Sequence, residues 1–308
     1  MRGLAVLCPG QGDQHPAMLD LALTSPEGRR AVDEAAAALG WDPRDAVRWG
    51  PEDLFRNARA QPLVCVAELA TWAALRGSLP RPTVLAGYSL GELVAHACAG
   101  ALPALEAVAL ASSRAALMDA AARAGGGLVA LRGLSIERAE ALAAAAGAEV
   151  AIVNGPDHLV IGGSGDAVAA LERGAAAAGA STVRRLSIGV PAHTRLLAGA
   201  VEPFAAALRA SALSDPAVPV LAGVSGAPVR RREEAVAALS RQLAQRIDWA
   251  RCLATAAEMG GTVFLELGPG TALSKMAREV VPGSEARSVD EFRSLDGVRR
   301  WVEAGLAR

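Results

Sequence analysis

Short, wholly apolar runs alternate along the chain with longer stretches whose apolar residues recur at helical spacing. Leu4-Ala-Val-Leu-Cys8 is the first such run. It stops at Pro9-Gly10-Gln11-Gly12 and reads as a buried strand feeding a turn. Helical patterns follow, the clearest over about 61–76. Pro80 and Pro82 break the chain, after which 83–87 predicts a second buried strand and 90–99 a helix. A longer helix is predicted from Pro103, a good first-turn residue, to Arg123. Gly125-Gly126-Gly127 ends it and marks a subdomain boundary.

From there to about residue 190 the pattern changes. Strands are predicted at 128–131, 149–153, 158–161 and 182–188, with helices from an N-cap at Ser135 to Ala146 and over 166–178. Asn154-Gly155-Pro156-Asp157 supplies a turn between the middle strands. The order β-α-β-β-α-β is the ferredoxin-like arrangement. Helices near 195–211 and 232–246, strands near 218–224 and 262–267, and helices to Val281 and over 296–305 complete the chain. Strands and helices alternate outside the insert, which favours a parallel sheet. The predicted fold is therefore α/β. Residues 1–126 and 191–308 form an α/β-hydrolase-like catalytic subdomain, and 127–190 form an inserted ferredoxin-like small subdomain.

Composition adds bounds to this picture. The 308 residues, 52% hydrophobic, can bury a sizeable core. Net charge is −1, so no basic field calls for nucleic acid. Lys275 is the only lysine and the other basic residues are arginines, with solvated surface positions as their default. Cys8, Cys65, Cys98 and Cys252 are far apart, and no His pair has zinc-ligand spacing, so no metal site is expected. The cysteines read as small buried hydrophobes in a reducing compartment. No run reaches the roughly 18 apolar residues of a membrane span. A soluble, cytoplasmic protein is the expectation.

Candidate chemistry centres on Gly87-Tyr88-Ser89-Leu90-Gly91, which fits G-x-S-x-G between a predicted strand and a predicted helix. So sharp a reversal crowds the backbone and needs small residues on either side of the serine. Ser89 is thereby exposed at the end of the strand. Its hydroxyl lies near the positive end of the next helix, and the Leu90 N–H points where an oxyanion would form. The competing reading makes Ser89 a helix cap. A nucleophilic serine needs a base. His96 lies two turns along the same helix, some 10 Å away at about 1.5 Å per residue. His158 belongs to the predicted hairpin. His193, in Gly189-Val-Pro-Ala-His193, sits where the chain leaves the insert and is the leading candidate. His15 is second.

Five segments, in order, together resemble the malonyl-CoA:acyl carrier protein transacylases over nearly the whole chain. Pro9-Gly-Gln-Gly-Asp-Gln14 resembles that family's P-G-Q-G-x-Q, and Gly87-Tyr-Ser-Leu-Gly-Glu92 its G-H-S-x-G-E. Asn154-Gly-Pro with Val160-Ile-Gly-Gly resembles N-x-P…V-I-x-G, Pro191-Ala-His193 the histidine loop, and Glu266-Leu-Gly-Pro-Gly270 the late E-x-G-P-G turn. The resemblance implies that Ser89 attacks a malonyl thioester while His193 takes and returns the proton. Gln11 and the Leu90 amide would form the oxyanion hole. The histidine would be oriented by a backbone carbonyl near Gln242, in Arg241-Gln242-Leu243, instead of a carboxylate. Arg114, in Ser113-Arg114-Ala-Ala-Leu-Met118, would grip the free carboxylate of malonyl. By itself Arg114 reads as a solvated helix residue.

The implied reaction is a ping-pong transfer from malonyl-CoA to the phosphopantetheine-type thiol of an acyl carrier protein, with no metal or redox cofactor. Tyr88 stands where the family usually has His. With the Phe292…Trp301 segment, it resembles the transacylase (epsilon) subunit of malonate decarboxylase, whose own carrier subunit would then be the acceptor. A fatty-acid or polyketide transacylase is the nearest alternative, followed by a serine acyl hydrolase and a non-catalytic carrier-docking subunit. Arg184-Arg185 and Arg230-Arg231-Arg232 could meet phosphates or an acidic carrier, though surface arginines are more often solvated. Gly10-x-Gly12 and Gly268-x-Gly270 both lack the third glycine of a dinucleotide fingerprint.

Overall fold

The run Leu4–Cys8 is buried to its last residue and lies inside a sheet. A computed structural model describes residues 2–122 and 126–308. Its strands in chain order are β1 (Gly3–Cys8), β2 (Val84–Gly87), β3 (Gly127–Arg132), β4 (Glu149–Val153), β5 (His158–Gly163), β6 (Thr182–Arg185), β7 (Val220–Leu221), β8 (Pro228–Val229), β9 (Ile247–Asp248), β10 (Gly261–Glu266) and β11 (Glu285–Ser288). The helix expected to reach Arg123 is described as Ala104–Ala121. Arg123 and Gly125 of the boundary signal lie outside the described residues.

The larger sheet has the order β11-β10-β1-β2-β7-β8. Its pairings are parallel except at the edge, where β8 runs antiparallel to β7. β1 and β2 lack the polar-apolar alternation of a one-sided sheet because both of their faces are covered. Helices Leu90–Cys98 and Leu295–Ala307 pack on β1. The smaller sheet has the order β6-β3-β5-β4-β9, with β3 to β6 wholly antiparallel as in a ferredoxin-like unit. Helices Ile136–Ala146 and Gly165–Ala175 cover one of its faces.

Alternation along the small sheet decides what its other face does. Val129, Leu131, Leu159 and Ile161 join the small subdomain's own core. Leu128, Ile152 and Val160 point the opposite way and merge with the main core. The small sheet thus roofs the end of the large one.

Several details differ from the sequence expectation: the strand expected near 218–224 is only Val220–Leu221, with Pro228–Val229 pairing on it. The helix expected over 232–246 ends at Arg241, and Ile247–Asp248 forms β9, a parallel fifth strand on β4. The small sheet therefore draws on chain outside 127–190. Helix Trp249–Glu258, capped by Asp248 Oδ1 on the Arg251 N–H at 3.0 Å, and β11 add elements that the apolar pattern did not mark. The strand expected over 182–188 stops at Arg185. All four cysteines are buried and free. No described helix is long and apolar enough to cross a membrane.

Candidate active site

The site begins with a steric demand at the end of β2. Ser89 has φ 56° and ψ −110°, a strained conformation for a non-glycine residue, and helix Leu90–Cys98 starts immediately after it. The turn closes only because its flanks lack side chains. A Cβ on Gly87 would lie 2.1 Å from the Glu92 nitrogen, and one on Gly91 would lie 1.9 Å from the Cys8 carbonyl oxygen. The strain presents the Ser89 hydroxyl to the cleft.

His193, also at positive φ (63°), meets it from the loop that leaves the small subdomain. Ser89 Oγ donates to His193 Nε2 over 2.8 Å. On the other edge of the ring, Nδ1–H donates to the backbone carbonyl of Gln242. The His193 backbone N–H donates to the Leu243 carbonyl at 2.9 Å, so the loop is tied at two points. The carbonyl fixes the tautomer that leaves Nε2 free to accept a proton. Burial pushes the His193 pKa down to about 3, helped by the nearby Arg114 charge and opposed by the Gln242 carbonyl. The imidazole is therefore neutral at physiological pH, with Nε2 open to a proton.

The other three histidines stand apart from this pair. His15 Nε2 is paired with Asp290 Oδ2 at 2.9 Å in a half-exposed position. His96 is fully buried further along the Ser89 helix, and His158 lies on β5.

Arg114 is 2% exposed, so the surface reading of this helix residue does not hold. Its Nη1 donates to Gln61 Oε1 at 2.8 Å, and its Nη2 to Ser89 Oγ at 3.1 Å and Gln242 Oε1 at 3.4 Å. Burial lowers its pKa to about 10, which still leaves it charged at neutral pH. Among the described residues its hydrogen-bond partners are all neutral oxygens, and a buried guanidinium so placed is suited to an incoming anion.

Ser89, Arg114, His193 and Gln11 line one chamber of about 60 Å³, roofed by Leu128 and Ile152 of the small sheet. It adjoins an outer cleft of about 200 Å³ that shares Gln11, Tyr88, Leu186 and Ile188 and includes Asn154, His158 and Arg184. Leu90 heads the helix and carries one of the N–H groups that a first turn leaves unpaired with helix carbonyls. Gln11 Oε1 is buried without a partner among the described residues.

All six residues expected at the site thus gather at or around this chamber. Gln242 contributes more than its carbonyl: its side-chain Nε2 donates to the Ser89 carbonyl and to Glu92 Oε2, both at 3.1 Å. Sequence reasoning missed Gln61, the strongest partner of Arg114, whose only signal was a polar residue leading an apolar helical stretch. It also gave no role to Glu92. Tyr88 packs edge-on to Trp249 with ring centroids 5.4 Å apart. Arg185, at the rim, is engaged by Glu172 at 2.7 Å, and Arg232 by Glu233.

The chain is similar to known proteins over nearly its whole length. Residues 6–295 match the acyl transferase domain family. The malonyl CoA-acyl carrier protein transacylase of Haemophilus influenzae is 34% identical over 314 residues, covering 98% of this chain and 100% of that protein. An acyl carrier protein S-malonyltransferase from Vibrio cholerae superposes with a TM-score of 0.89 at 33% identity, covering 96% of this chain and 99% of its own. A malonyl-transacylase in complex with its type II PKS acyl-carrier protein gives 0.92 at 29% identity, covering 97% of this chain and 99% of its own.

Proposed function

The chain belongs to the acyl transferase family, among its malonyl-CoA:acyl carrier protein transacylases, and from that membership we propose that it works through a malonyl ester on Ser89. The observation that carries the reading is the Ser89 hydroxyl, 2.8 Å from a neutral imidazole and 3.1 Å from a buried guanidinium.

Ser89 Oγ attacks the thioester carbonyl of malonyl-CoA as His193 Nε2 takes its proton. The developing oxyanion meets the Leu90 N–H and the Gln11 amide. As the C–S bond breaks, the imidazolium returns the proton to the coenzyme A sulfur. In the second half, His193 takes the proton of a carrier-protein thiol. The sulfur attacks the ester, and the proton ends on Ser89. Arg114 holds the free carboxylate of the acyl group throughout. An acetyl group brings no counter-charge to that buried cation, so the site favours malonyl.

The acceptor we favour is an acyl carrier protein of fatty-acid or polyketide synthesis, in keeping with the names of the relatives. Tyr88 before the nucleophile favours a second reading, the carrier subunit of malonate decarboxylase. The protein is incubated with malonyl-CoA and then with each carrier bearing its thiol. We expect one malonyl mass on the protein, absent in Ser89→Ala, and discharge by the fatty-acid-type carrier. An unlabelled wild type overturns the covalent reading. Discharge by the decarboxylase carrier alone replaces the first acceptor by the second.

A further inference from the structure

Glu92 ends the motif around Ser89, is fully buried, and touches none of the reacting atoms. Its Oε2 accepts two N–H groups, from the Gly223 backbone at 3.0 Å and from Gln242 Nε2 at 3.1 Å. The same Gln242 nitrogen donates to the Ser89 carbonyl, and the oxygen at the other end of that amide accepts from Arg114 Nη2. A glutamine amide is a donor at one end and an acceptor at the other, and a half-turn exchanges them. Turned over, Gln242 would set its NH2 against the Arg114 guanidinium. Its oxygen would then face the Glu92 carboxyl and the Ser89 carbonyl. With Glu92 ionised, every contact would join like to like in a site without the screening of water.

We propose that Glu92 is a positioning residue: it fixes the polarity of the Gln242 amide and so holds the Arg114 guanidinium on Ser89. The proposal rests on the reading that Arg114 binds the acyl carboxylate. Both N–H donors converge on Oε2, while Oε1 is buried without a partner among the described residues. A proton on Glu92 therefore belongs on Oε1, and Oε2 remains an acceptor in either charge state. This matters because burial raises the Glu92 pKa to about 8, so both states are reached near neutral pH. Glutamine at position 92 can offer the same acceptor oxygen. Leucine, of similar bulk, cannot.

The test is the ratio of kcat/KM for malonyl-CoA to that for acetyl-CoA. Glu92→Leu is expected to lower it about tenfold or more, the scale of a lost hydrogen bond to a charged group. Glu92→Gln should recover most of the ratio. Gln242→Met keeps the backbone carbonyl under His193 and should lower the ratio as far as Glu92→Leu does. The double variant should fall no further than Gln242→Met. A merely structural role for Glu92 would depress both substrates together and spare the ratio. An unchanged ratio in Gln242→Met, or a ratio in Glu92→Gln that falls as far as in Gln242→Met, overturns the proposal whether or not Glu92→Leu folds. A wild type without malonyl preference would instead overturn the reading of Arg114 and remove the proposal with it.

Discussion

Arg114 and His193 share one chamber, and each is useful because burial acts on it differently. The guanidinium keeps its charge with a pKa near 10, while the imidazole loses its own with a pKa near 3. Removing the guanidinium should cost the malonyl reaction a charge-assisted bidentate pair, about 3 kcal/mol or roughly 100-fold in kcat/KM. Arg114→Ala is therefore expected to lose about two orders of magnitude with malonyl-CoA and little with acetyl-CoA. Equal losses would deny Arg114 its selective role. His193 makes a prediction in pH. An ordinary histidine would be half protonated near pH 6.5. With its pKa pushed down to about 3, His193 stays neutral as pH falls from 8 to 5, so kcat/KM for acylation should show no acid limb near 6.5. A limb there would mean that the imidazole is wetter in the working enzyme. These two residues were legible because family motifs mark them. Gln61 was not, because its meaning comes from Arg114, 53 positions away in sequence, reaching it across the core.

At the scale of elements, the strand–turn–helix at Ser89 is the part most plainly written in the sequence. Gly87 answers to the first turn of the Leu90–Cys98 helix, and Gly91 to a contact between that helix and β1. A methyl group on Gly91 would sit 1.9 Å from the Cys8 carbonyl oxygen, which belongs to backbone and cannot swing aside. Gly91→Ala must push the helix off β1. We expect a loss of about 1–3 kcal/mol of stability, the usual cost of overpacking, together with loss of Ser89 acylation. Gly77→Ala is the control, since nothing lies within 4 Å of the added carbon. Equal melting temperatures for the two variants would refute the steric account. Short elements were the least legible. β8 and β9 have two residues each, too few for an alternation to register, and β9 exists because β4 offers an edge at Ile152 and Val153. The helix expected over 232–246 failed for a related reason. The segment after Arg241 turns so that Gln242 and Leu243 can give their carbonyls to His193, a demand made by another part of the chain.

For the whole molecule, the two sheets divide the work: the larger positions Ser89, and the smaller roofs the chamber it faces. The β-α-β-β-α-β order of the insert was readable, because most of its strands are apolar runs bounded by a cap at Ser135 and the turn at Asn154-Gly155-Pro156-Asp157. That its second face closes the chamber was not, since a strand's polar-apolar pattern does not say which of two cores will claim it. The arginine-rich surface adds little to stability, because its ion pairs, such as Arg299 with Glu303, are exposed. What does couple the fold to pH is buried. His96 has no exposed surface and neither ring nitrogen has a partner among the described residues, and burial lowers its pKa to about 4. In the unfolded chain it returns to about 6.5. As pH falls below that value the unfolded state binds the proton first, so the stability from this group, complete above pH 6.5, drains away toward pH 4. At pH 5 the loss is about 2 kcal/mol. His96→Leu cannot titrate and leaves no unpaired ring nitrogen in the core. Its stability relative to wild type should rise by about 2 kcal/mol between pH 7.5 and pH 5 in denaturant unfolding. The shifts of His193, Glu92 and Glu266 are common to both proteins and cancel in that difference. A difference that stays constant with pH would show that His96 gains its proton without unfolding.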